Sequence, residues 1–168
     1  MPEDIPIEDS HRLRAACGWL ELGNPVEARL ELESVSEIAR NHPDVLECRW
    51  LLASRDGDWE EALRLALDLR AAAPERPSGW IHHAYALRRT QHGSIEEAWK
   101  VLHMAHEIFP SEPVIPYNLA CYACQLGRLD EGMDWFREAL RIGHKTTLRA
   151  MALEDNDLQE LWDLIRKT

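Results

Sequence analysis

The chain has 168 residues, enough for one domain with a sizeable core, and acidic side chains outnumber basic ones 30 to 19 for a net charge of −11. That balance disfavours general affinity for nucleic-acid backbones, which need excess lysine and arginine. No apolar run reaches bilayer-crossing length, so no membrane partner is expected, and the acidic opening MPEDIPIEDS lacks the apolar stretch of a secretory signal. The cysteines Cys17, Cys48, Cys121 and Cys124 fit reduced thiols of a cytoplasmic protein. Core packing accounts for most of the seven tryptophans before any ligand does.

In chain order, residues 1–9 carry two prolines and read as a leader, loose over the first eight. Ser10 is placed to cap a first helix running to about residue 22, with Leu13, Ala16, Trp19 and Leu20 inward. Gly23-Asn24-Pro25 ends it, and Pro25 suits the first turn of a second helix. The pattern carries that helix over 25–40, longer than its counterparts. A second pair opens near Pro43, carries Val45, Leu46, Trp50 and Leu51, turns at Asp56-Gly57-Asp58, and resumes with Trp59 and Ala62. A third pair opens at Pro77 with Trp80, Ala84 and Leu87. Its turn, Thr90-Gln91-His92-Gly93, is two residues longer than its neighbours, and Ile95, Ala98 and Leu102 come after it. The stretch 116–140, PYNLACYACQLGRLDEGMDWFREAL, reads as two amphipathic helices about Gly127, with bulky and small residues alternating at helical spacing. Beyond Gly143, 145–153 is predicted helical. Asp155-Asn156-Asp157 is predicted to cap a last helix bearing Leu158, Leu161, Trp162 and Ile165.

These pairs repeat. Turn glycines stand at 23, 57, 93 and 127, and five residues after each comes a small residue, Ala28, Ala62, Ala98 or Gly132. Both series have spacings of 34, 36 and 34. With the aromatic, small and bulky places Trp80, Ala84 and Leu87, the Leu119-Ala120 pair, the helix-opening Trp59, Ile95 and Leu129, and the closing prolines Pro74 and Pro110, the chain resembles tetratricopeptide repeat proteins over 10–142. Trp50 departs from the pattern, since the family places a small residue there. The resemblance implies an all-α, right-handed superhelix of about four helix-turn-helix repeats, 10–42, 43–76, 77–112 and 113–142. A solenoid must cover the apolar face of its last repeat, and 143–168 is assigned to that capping role.

The resemblance also implies that first helices line a concave groove. Its places fall at Arg14, Cys48, Arg55, His82, Tyr85, Arg88, Arg89, Tyr117, Asn118 and Gln125, joined by Cys17, Glu47, Leu51 and Cys121. Arginine and tyrosine are common anchors of binding surfaces. The second helices hold much of the acid, including Glu60, Glu61, Glu96, Glu97, Asp130 and Glu131. A mildly basic, aromatic groove inside an acidic shell suits a partner peptide with one or two carboxylates, an acidic or C-terminal segment. The competing view is that these arginines are solvated or paired with nearby acids.

Cys121-Tyr122-Ala123-Cys124 is a CxxC, but zinc needs two further ligands and a redox motif needs a strand before the helix, so packing is the stronger reading. His103 and His106, at i, i+3, and the neighbouring His82-His83 likewise read as surface or packing histidines, so no metal site is assigned. No P-loop, dinucleotide fingerprint or nucleophile elbow is present, and neither an enzyme nor a cofactor is expected. The expected function is a protein–protein interaction scaffold or adaptor. The alternatives are a self-associating homodimeric module and, behind it, a metal or thiol module using Cys121 and Cys124.

Overall fold

The computed structural model describes residues 5–167, and every regular element among them is helical. The part of the expected leader at 1–4, and Thr168 of the expected cap, lie outside the described residues. The chain divides into two compact units, residues 1–90 and 91–168.

The first unit contains α1 (Ile7–Glu21), α2 (Pro25–Glu33), α3 (Pro43–Asp56), α4 (Trp59–Ala72) and α5 (Pro77–Leu87). The turns are built as the sequence indicates. Gly23 and Gly57 take φ of 75° and 74°, a left-handed conformation that side chains with a Cβ rarely adopt. Asn24 and Asp58 then accept the backbone N–H groups of Glu27 and Glu61, capping α2 and α4. Packed pairs are α1 with α2, α3 with α4 and α4 with α5, and α3 also lies against α1, α2 and α5. Two apolar clusters fill the unit. One gathers Ala16, Leu20, Ala28, Leu32, Val45 and Leu52; the other gathers Leu46, Trp50, Ala62, Leu65, Leu69 and Ala86.

Three details differ from the sequence reading. Helix α1 begins at Ile7, inside the expected leader, and Ser10 does not cap it; its hydroxyl donates to the Ile7 carbonyl within the helix. Helix α2 stops at Glu33 instead of continuing to about residue 40. The cause is Asp9, only 4 % exposed, whose carboxylate accepts both the backbone N–H and the hydroxyl of Ser36, at 2.9 and 2.6 Å. Those bonds give the backbone an alternative to the helix, and Val35 and Ala39 are buried beside it. The Ser36 hydroxyl, followed by its N–H, also holds the Asp9 carboxyl below the usual range. Trp50, the misfit in the repeat pattern, is accommodated by stacking flat on His82 of α5 at 3.7 Å between ring centres.

The second unit contains α6 (Ile95–Ile108), α7 (Val114–Gln125), α8 (Leu129–Ile142), α9 (Lys145–Ala152), a 3₁₀ helix (Asn156–Leu161) and α10 (Trp162–Ile165). Helix α7 packs on α6 and most extensively on α8. Gly132 permits that approach: a Cβ there would stand 2.7 Å from Cys124 Sγ and 3.2 Å from the Ala120 carbonyl. The 3₁₀ helix lies on α7 and α8, and Leu158, Leu161 and Ile165 are fully buried. The predicted single last helix is thus a 3₁₀ segment running into a short α-helix, started by Asp155, which accepts the Asp157 N–H. Among the described residues, no helix is long and apolar enough to cross a membrane.

Candidate functional site

In the first unit, helices α1, α3 and α5 contribute one face. The sulfur atoms of Cys17 on α1 and Cys48 on α3 lie 3.3 Å apart and fix its phase. Arg14 is one turn before Cys17, and Leu51 and Arg55 are one and two turns after Cys48, so all three share the side on which the thiols meet. Arg14 is exposed and pairs with no acid among the described residues. Arg55 is exposed and donates one N–H to the Leu20 carbonyl at the end of α1. Leu51 is 40 % exposed.

Next to it is an aromatic assembly. Trp50 stacks on His82 and meets Tyr85 edge-on at 5.9 Å, and Trp59 tilts against Tyr85 at 6.0 Å. The Arg89 guanidinium lies 3.6 Å over the Tyr85 ring and 5.0 Å from that of Trp59, and also donates to the Tyr85 carbonyl. Glu47 stands 3.5 Å from His82 and 3.8 Å from Arg76. Contact with the His82 imidazole holds its carboxyl below the usual range, against the opposing effect of burial. The adjacent His83 faces the other way, against Arg70, and burial assisted by that cation lowers its pKa to about 4. Arg70 in turn covers the Trp80 ring at 3.5 Å.

In the second unit, α7 presents little of what was expected of it. Tyr117 is 6 % exposed, and its hydroxyl donates to Asp155 at 3.0 Å. The Cys121 thiol points at the same carboxylate oxygen, 3.6 Å away. Asn118 is half-buried and donates to the Val114 carbonyl, while Gln125 is exposed. Burial pushes the Cys121 thiol up, and it raises the Cys124 thiol to about 11, so both stay protonated at neutral pH. The histidines of α6 pack against tryptophans: His103 lies between Trp99 and Trp135, and His106 lies edge-on to Trp135.

Neither a protein-family model nor a curated protein matches the sequence. Solved structures do. TTC0263, a tetratricopeptide protein of Thermus thermophilus, superposes with a TM-score of 0.76 at 20 % identity, over 92 % of this chain and 81 % of that one. PilF of Pseudomonas aeruginosa gives 0.74 at 17 % identity, over 95 % and 70 %. MamA of Desulfovibrio magneticus RS-1 gives 0.69 at 16 % identity, over 98 % and 96 %. The chain has the tetratricopeptide fold.

Four predicted groove residues change character. Cys48 is 1 % exposed and Tyr117 little more, so neither offers a surface to a ligand: one is shut in by Cys17 and the core, the other by Asp155. Arg88 and Arg89 are not helical, because α5 ends at Leu87. There the chain tightens, with the Arg89 N–H bonded to the Ala86 carbonyl and the Thr90 hydroxyl to the Leu87 carbonyl. The sequence reading assigned no contact role to Trp59. Its signal was present in the tryptophan opening α4 beside a tyrosine-arginine turn, but nothing local said that the two would meet.

Proposed function

We propose that the chain is a protein-interaction scaffold holding a peptide segment of a partner against α1, α3 and α5, by binding and without catalysis. The observation that carries this reading is Arg14 and Arg55, both exposed, on one face with the exposed Leu51. Two guanidinium groups recognise carboxylates, bidentately where geometry allows, and an apolar side chain beside them suits an aliphatic or aromatic peptide residue. Arg88 and the Tyr85–Arg89 stack extend the surface. The fitting partner segment is acidic or ends in a free carboxylate. Gln125 and Asn118 on α7 are polar candidates of the second unit, taken by itself. The four free thiols fit a cytoplasmic setting.

An array of acidic and C-terminal peptides, each in free-acid and amidated form, tests the reading. Free-acid forms should bind, and the double variant Arg14→Glu/Arg55→Glu should bind them about tenfold or more weaker. Arg141→Glu, at an exposed position of α8, should change nothing. Equal binding by all three proteins would place the site elsewhere.

A second reading, self-association into a homodimer, has its own support. Ile7, Leu22, Val26, Leu30 and Ile38 are large apolar residues left exposed around the first two helices, and Val26 and Leu30 stand one turn apart on α2. Light scattering across a dilution series decides it. A mass that stays at the monomer value, unaltered by Val26→Glu/Leu30→Glu, rejects the dimer.

A further inference from the structure

The Cys17 and Cys48 thiols meet at the edge of an apolar cluster, where Cys17 donates a hydrogen bond to the Cys48 sulfur. The two residues are 31 apart in sequence and sit on different helices, yet their sulfurs are 3.3 Å apart. A disulfide needs about 2.05 Å, so closing the bond asks for a movement of little more than about 1 Å. Their access to solvent is unequal. Cys17 is partly exposed, whereas Cys48 is 1 % exposed and burial pushes its thiol up. One sulfur can meet a reagent, and the other waits behind it. Cys121 and Cys124 lack this arrangement, being both buried on the one helix α7, with the Cys121 thiol turned to Asp155.

We propose that Cys17 and Cys48 form a reversible oxidation site, a dithiol that hydrogen peroxide converts to a disulfide joining α1 to α3. In the first step the Cys17 sulfur attacks one peroxide oxygen. The O–O bond breaks, Cys17 becomes a sulfenic acid, and the leaving hydroxide takes the thiol proton as water. In the second step the Cys48 sulfur attacks the Cys17 sulfur. The S–S bond forms, the S–O bond breaks, and the departing hydroxide takes the Cys48 proton as a second water. Two thiols lose two electrons and two protons, and one peroxide becomes two waters. The product closes a covalent loop around α2 and keeps α1 on α3. A dithiol reductant reverses it. This chemistry is independent of what the face binds.

The test uses the full reduced chain in native buffer, treated with hydrogen peroxide, alkylated and digested with trypsin without reduction. Cleavage after Arg14, Arg29, Arg40 and Arg49 places the two cysteines in peptides 15–29 and 41–49. The expected result is these two peptides covalently joined, an intact mass lower by about 2 Da, and recovery of both with dithiothreitol. Cys17→Ser, at a partly exposed position, should abolish the link, and Cys121→Ser should leave it intact. The oxidised wild-type chain should also unfold at higher denaturant than the reduced chain, a difference absent in Cys17→Ser. Three results would overturn the proposal: Cys17 advancing to sulfinic acid with no link, Cys17 or Cys48 linked instead to Cys121 or Cys124, or a link that forms only in denaturant.

Discussion

Corresponding positions of the two units meet different fates. Cys17, Leu51 and Cys121 each stand six residues before a turn glycine. On α1 and α3 these positions are partly or largely exposed, flanked by Arg14 and Arg55. On α7 the position is buried, and Asp155 receives both the Cys121 thiol and the Tyr117 hydroxyl. The repeat therefore sets where a side chain points, and the segment C-terminal to it decides whether it reaches solvent. A stacking fold must close its last apolar face, and here the closing segment also takes up the polar groups on the inner side of the helix it covers.

The largest test of this contrast removes the closure. Leu161 is 1 % exposed against α7 and α8, and Leu161→Ala should lower the unfolding free energy by about 2–5 kcal/mol, read from urea titration. Next is Asp155→Ala, which deprives Tyr117 and Cys121 of their acceptor and the 3₁₀ helix of its cap. It should cost about 1–3 kcal/mol and speed labelling of Cys121 by a thiol reagent. Unchanged labelling would mean that something other than the tail shields this thiol.

A smaller effect belongs to the first unit and depends on acid. His83 is held neutral, with its pKa lowered to about 4 in the fold from an ordinary value near 6.5. Below pH 6.5 the unfolded chain takes a proton that the folded chain refuses. The stability contributed by neutral His83 is therefore whole above 6.5 and declines as pH falls from there towards 4. His83→Gln, which keeps an acceptor for Arg70, should flatten the stability profile in that window. The least effect on folding is expected of Arg14→Glu: within about 0.5 kcal/mol by thermal unfolding, even where peptide binding is lost. A large destabilisation would show that Arg14 supports the fold instead of presenting charge.

Much of this architecture was legible because its signals are local. Glycines at fixed intervals, a small residue five positions later, and a proline or capping residue at helix starts each act within a turn or two of the chain. What escaped was set at a distance. No window around Ser36 reveals that Asp9, 27 residues earlier, stops α2. Nothing near Tyr117 reveals that Asp155, 38 residues later, covers it. The end of α5 was misplaced because Arg88 and Arg89 continue a helical pattern, while the tighter turn depends on Thr90 and on a guanidinium drawn onto Tyr85. In the candidate site, the arginines of α1 and α3 were named from the groove places that the family resemblance implies, whereas the stacking of Trp50, His82, Tyr85 and Trp59 needed three helices in place.

The stacking of Trp50 on His82 limits how this array can be rearranged. A string of like hairpins invites shuffling, since a generic unit carries its own complement of knobs and hollows. Here α3 donates an indole that only an α5 bearing a flat ring at the matching place receives. A copy of the second hairpin inserted after itself would press one Trp50 against a helix with no imidazole at that level. Duplication or exchange at this junction would have to move the tryptophan and its histidine together.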